Sequence, residues 1–176
     1  KDTPLTAAAS GAALGQKLAS LTLPVAEGAT SSAVAAAIQG KSFILQENKM
    51  GMKAVSFSFE GNSCILSLTS DTQTYRIRSG MGAWVEGKTL MPGAPPSLFT
   101  QYNIPEKPLR VVSSAAWKDP QTLSLTCLYV ETPHHDKLSC VFEGNNVKVT
   151  FLNSISAMSG PDRPDFRPVL EGTVAG

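Results

Sequence analysis

The sequence predicts a mainly β protein: an eight-stranded antiparallel up-and-down barrel behind a short N-terminal helical extension. Three observations predict it. Apolar residues recur with period two from Lys41 onward, turn residues separate these runs at hairpin spacing, and only the first forty residues are Ala-rich. The chain has 176 residues, which suits one domain, divided here into an extension over 1–40 and a barrel over 41–176.

In the extension, Thr6 to Leu21 and Ser31 to Ile38 suit helix, and Leu14, Leu18 and Leu21 form an apolar stripe. Leu23-Pro24 breaks the first helix, and Thr30 or Ser31 can cap the second. Helices this short are marginal alone and need a surface to dock on. Gly40 ends the extension.

Turn arithmetic then sets the hairpins. Placing Phe59 opposite Cys64 puts Phe57 opposite Leu66 and Val55 opposite Leu68, leaving Gly61-Asn62 as a two-residue loop with positive φ at glycine. Phe142 opposite Val147, Cys140 opposite Val149 and Leu138 opposite Phe151 leave Gly144-Asn145 in the same role. Phe-Glu-Gly-Asn thus occurs twice; the same turn chemistry selected twice accounts for it, an ancient duplication being the other origin. Leu68 with Tyr75 and Leu66 with Ile77 turn at Asp71-Thr72, and Trp117 and Leu123 flank a turn at Asp119-Pro120-Gln121. Tyr129 with Leu138, Cys127 with Cys140 and Leu125 with Phe142 turn at Pro133-His134, which sets Cys127 and Cys140 adjacent. No disulfide is expected between them, since buried cysteines behave as small hydrophobes. Two four-strand meanders result, over about 41–86 and 109–152, joined by a segment over 88–108 that carries five prolines. The inward set is Val55, Phe57, Phe59, Cys64, Leu66, Leu68, Ile77, Leu125, Cys127, Phe142, Val149 and Phe151.

The chemistry of the chain is sparse. Fifteen Lys and Arg stand against 14 Asp and Glu, without the basic excess that nucleic acid requires. No apolar run approaches the roughly 20 residues that span a bilayer. There is no Gly-x-Ser-x-Gly, phosphate loop, dinucleotide fingerprint or Ser-x-x-Lys, so no cofactor is expected and no catalytic residue is assigned. Cys64, Cys127 and Cys140 lack the spacing of a zinc site and lie on apolar stripes without a basic neighbour. His134, His135 and Asp136 read as a solvated turn rather than metal ligands. One stretch stands out, Tyr75-Arg-Ile-Arg-Ser-Gly-Met-Gly-Ala-Trp84: Arg76 and Arg78 face outward, and with Trp84 they form a candidate interaction surface beside the Pro-rich segment. A solvated face, with Trp84 capping the core, is the plainer reading of the same residues.

Leu45-Gln-Glu-Asn48, Gly51-Met52, and Gly80-Met-Gly82-Ala-Trp84 carry a family likeness, as do Trp117-Lys-Asp-Pro120, Val130-Glu-Thr132 and Phe142-Glu-Gly-Asn145. The chain resembles the C-terminal accessory region of bacterial serine hydrolases of the β-lactamase-related, penicillin-binding-protein-like superfamily. The Lys17-Leu-Ala-Ser-Leu21 and Leu23-Pro24 segments are similar to the linker that precedes that region. The resemblance implies a lipocalin-like accessory barrel and a catalytic domain upstream in the same polypeptide, this chain being a processed form or fragment without catalysis of its own. Such barrels pack against the catalytic domain, narrow its entrance or support oligomers. The competing expectation is a carrier that holds a small hydrophobic ligand inside the barrel, and the discriminator is whether side chains fill the interior.

Overall fold

The computed structural model describes residues 10–92, 105–159 and 164–176. Ten strands form one sheet: β1 (Ser42–Leu45), β2 (Met52–Glu60), β3 (Ser63–Ser70), β4 (Thr74–Met81), β5 (Val85–Thr89), β6 (Leu109–Asp119), β7 (Thr122–Tyr129), β8 (His135–Glu143), β9 (Asn146–Asn153) and β10 (Leu170–Val174). Helices α1 (Ser10–Ala19) and α2 (Ala33–Ile38) precede the sheet, and α3 (Ser154–Ser159) follows β9. Nine strands close into a barrel in the order β4-β3-β2-β1-β10-β9-β8-β7-β6, with β4 returning to β6, while β5 lies outside along β6.

Closure departs from the expected eight antiparallel strands for a topological reason. An odd number of strands of alternating direction cannot close without one parallel neighbour. That seam is short, Gly80 against Ser114 and Met81 against Ala115. The same edge of β6 is continued by β5 on one side and by Ala29 on the other, Ala29 and Trp117 exchanging backbone hydrogen bonds of 2.9 and 2.8 Å. Three separate segments thus cover one strand edge that would otherwise be open. Gly28 makes this approach possible: its φ is 141°, and a Cβ there would lie 2.2 Å from the Trp117 carbonyl oxygen.

Four of the expected registers are present, among them Trp117 opposite Leu123. Phe57 faces Leu66 around Gly61-Asn62, Leu66 faces Ile77, and Cys140 faces Val149 around Gly144-Asn145. Gly61 and Gly144 have φ of 56° and 60°. The β7–β8 register is a correction. Cys140 faces Leu123, Leu125 faces Leu138, and Cys127 faces Asp136, so Cys127 and Cys140 are not opposed. They sit four residues apart along the ladder, about 13 Å at 3.3 Å per residue, beyond disulfide reach. The turn is centred on Glu131-Thr132, two residues earlier than expected, with the Thr132 N–H donating to the Tyr129 carbonyl at 3.0 Å and Pro133 at its close rather than its centre. A shift of four preserves the two-residue alternation, so the inward faces of β7 and β8 stay inward.

The inward set is buried throughout except Phe59, which is half-buried and stacks on Trp117 at 6.1 Å. Phe43, Phe57 and Phe142 meet ring to ring at 5.0 to 6.4 Å and, with Trp117, fill one end of the barrel. Ser32, one residue later than expected, caps α2 by accepting from the Val34 N–H. No helix among the described residues is long and apolar enough to cross a membrane. Most of the Pro-rich connection lies outside the described residues.

Candidate functional site

Arg76 and Arg78 project from the outer face of β4, opposite Ser67 and Ile65 of β3, and both are exposed. Trp84 occupies the turn after β4 and is half-buried. Its indole N–H donates to the Leu23 carbonyl at 2.9 Å. Trp84 lines a groove on the outside of the barrel, whose lining does not include Arg76 or Arg78.

That groove runs between the extended strap 22–30 and the outer faces of β7 and β8, with a volume of ≈ 590 Å³. The strap is tied at three places: Trp84 to Leu23, the Ala26 N–H to Ser114 Oγ at 3.2 Å, and the Ala29–Trp117 bridge. Small side chains, Ser124 and Thr126, make the floor, which is why a void remains beneath the strap. Leu23, Trp84 and Leu128 supply its apolar lining, and Lys118, Lys137 and His135 its cationic and imidazole groups. The pairings Thr126–Lys137 and Leu128–His135 follow from the β7–β8 register.

A second polar assembly closes the other end of the barrel. Asp136, expected in a solvated turn, is 1% exposed and points inward. Arg167 grips it through Nη1 and Nη2 at 2.9 and 2.8 Å and grips Asp165 through Nε and Nη2 at 2.9 and 2.8 Å. Tyr129 donates its hydroxyl to Asp136 at 2.5 Å, and Asn153 donates its backbone and side-chain N–H groups to Asp165 at 2.7 and 2.9 Å. The Phe151 ring lies 4.7 Å from the guanidinium. Burial alone would lower the Arg167 pKa, but hydrogen bonds and charge from Asp165 and Asp136 outweigh it and raise it. Burial would raise Asp165, yet Arg167 and the Asn153 N–H hold its carboxyl below the usual range. Desolvation and the Asp136 charge push Tyr129 well above its ordinary value. This assembly is a buried ionic lock that fixes the segment before β10.

The signal for Asp136 was present in the sequence. It shares the parity of Leu138, Cys140 and Phe142, so period two alone aims it inward. Arg167 carried no such signal, because it lies in an irregular segment between prolines.

The thiols are silent. Desolvation pushes Cys64 and Cys127 up to about 12 and Cys140 well above its ordinary value, so none is a thiolate near neutral pH. His134 Nδ1 lies 3.0 Å from Ser154 Oγ, but Ser154 is buried, and His135 faces away into the groove. Among the described residues, no group of three or more His, Cys, Asp or Glu is placed to hold a metal ion. No protein-family model matches this chain, and no curated protein matches it.

Proposed function

We propose that the chain is a non-catalytic accessory domain of a β-lactamase-related serine hydrolase, acting by contact with the catalytic domain of the same polypeptide. The observation that carries this reading is α1. Every residue from 11 to 19 is exposed, and Leu14 and Leu18, with Leu21 just beyond the helix, are 57, 57 and 66% exposed. An apolar stripe at helical spacing that the barrel does not cover favours burial against another body, at about 25 cal/mol per Å². The aromatic packing in the barrel speaks against the carrier reading, since Phe43, Phe57, Phe142 and Trp117 occupy the space a ligand would need.

The test has two steps. The reading frame upstream of Lys1 should encode a domain with Ser-x-x-Lys, and that domain, expressed as a separate chain, should co-purify with this one. Leu14→Asp with Leu18→Asp should abolish the association while leaving the barrel's thermal midpoint unchanged. Ester or β-lactam turnover by the isolated chain, or an upstream frame lacking such a domain, would overturn the reading.

A further inference from the structure

We propose that the groove beneath the strap is a binding site for a small amphipathic anion, an apolar body bearing one carboxylate or sulfonate. This goes beyond the accessory-domain reading and does not rest on it.

The first argument is size and preformation. The volume of ≈ 590 Å³ falls within the roughly 300–1,000 Å³ of ordinary small-molecule sites. Its walls are held before any ligand arrives: the indole of Trp84 is fixed by its bond to Leu23, and the strap by Ser114 and Trp117. A ligand therefore meets a set surface and spends little on ordering it.

Charge is the second argument. Two lysines, Lys118 and Lys137, line the groove against a single carboxylate, Glu27, and none of the three has an ion-pair partner among the described residues. Among the described residues no other carboxylate lines this groove, so the excess of cation shares one lining with apolar side chains. That arrangement suits a ligand with one apolar face and one anionic group. Leu23, Pro24, Val25, Trp84 and Leu128 would take the body, stacking included, while Lys118, Lys137 and the His135 ring would take the head. A neutral apolar ligand would leave both lysines unused, and a cation would meet them head on.

The probe is 8-anilinonaphthalene-1-sulfonate, compared with N-phenyl-1-naphthylamine, which has the same aromatic body and no charge. The chain has two tryptophans and Trp117 is 2% exposed, so quenching of the accessible tryptophan reports on Trp84. The sulfonate should bind saturably at one site and quench Trp84, at least ten-fold more tightly than the neutral amine. Lys118→Gln with Lys137→Gln should weaken the sulfonate about ten-fold and leave the amine unchanged. Both lysines are exposed, and an unaltered thermal midpoint verifies folding. Equal affinity for the two probes, or sulfonate binding untouched by the lysine changes, would overturn the proposal. So would loss of binding in Leu14→Asp with Leu18→Asp, which would place the probe on the helix stripe. Failure of the accessory-domain reading leaves this result intact, because that reading is scored by co-purification and not by probe binding.

Discussion

At the end of the barrel where β2 turns into β3 and β8 into β9, Phe43, Phe57, Phe142 and Trp117 fill the interior with rings. At the opposite end the interior holds two carboxylates and a guanidinium, with Arg167, Asp136 and Asp165 side chains 0, 2 and 4% exposed. Both ends exclude water, but by different physics. Ring packing is non-directional and grows with area, so many sequences satisfy it. The ionic end works only when every partner is in place, because a buried charge without its mate is far more costly than a missing methyl group. One end tolerates change by degrees, and the other fails when a single partner is lost.

The largest effect should come from Arg167→Ala. It strands two buried carboxylates at once, so the loss should reach about 5 kcal/mol, the top of the range for breaking a buried pair. That is comparable to the whole stability of many domains, about 5–15 kcal/mol. Urea unfolding measures it, and a loss below about 2 kcal/mol would show that the lock is not what holds this end. Changing all three charges together, Asp136→Asn, Asp165→Asn and Arg167→Met, should recover most of the loss, since no charge is then left unpaired.

Phe57→Ala at the aromatic end should cost about 3–5 kcal/mol as a large-to-small core change, graded by the cavity left behind. Phe57→Leu should cost visibly less. The comparison is sharpened by this contrast: intermediate substitutions should scale smoothly at the aromatic end and not at the ionic one.

This contrast also explains which parts of the fold were legible. Periodicity and two-residue turns specify the aromatic end, and the pairings around Gly61-Asn62 and Gly144-Asn145 follow from local residues alone. The β7–β8 register departs from the local reading because it carries Asp136 inward to Arg167, 31 residues further along. Likewise β10 has only five residues, with Gly172 at its middle, and joins the barrel between β1 and β9. Nothing in those five residues distinguishes a strand from a loop; the closure of the barrel does. The candidate surface was half legible: Trp84 was singled out, but its partner Leu23 lies 61 residues away. A contact that remote leaves no mark in the residues around Trp84.

The two ends should also separate by pH. Asp165 is held below its ordinary range, so its contribution is present above the unfolded carboxyl value of about 3.9 and is lost as pH falls through the folded one. Acid should therefore open the ionic end first, read as early loss of protection at the amides of Asn153 and Arg167. Cys64, near the aromatic end, is raised to about 12, so its contribution is present below about 8.5 and fades as pH rises toward the folded value. Alkali should weaken the protein without favouring the ionic end. Equal loss of amide protection at both ends in acid would contradict this separation.

The smallest effects should fall at the two turn glycines, and they isolate backbone from packing. Gly61 and Gly144 have φ of 56° and 60°, and a Cβ at either would meet nothing within 4 Å. A side chain there costs only the left-handed conformation, about 1–2 kcal/mol for an ordinary L-residue, with β-branched residues penalised most. Gly61→Val and Gly144→Val should thus destabilise by similar amounts despite lying in different hairpins, while Gly61→Asn should cost less, since asparagine tolerates this region. Gly28→Val is the contrasting case: φ is also positive, but the Trp117 carbonyl leaves no room for a Cβ, so the strap must detach. Trp84 then loses its tie to Leu23, and its fluorescence should shift toward that of exposed indole in Gly28→Val but not in either turn variant. An unchanged Trp84 spectrum in Gly28→Val would show that the strap stays seated without the close approach at residue 28.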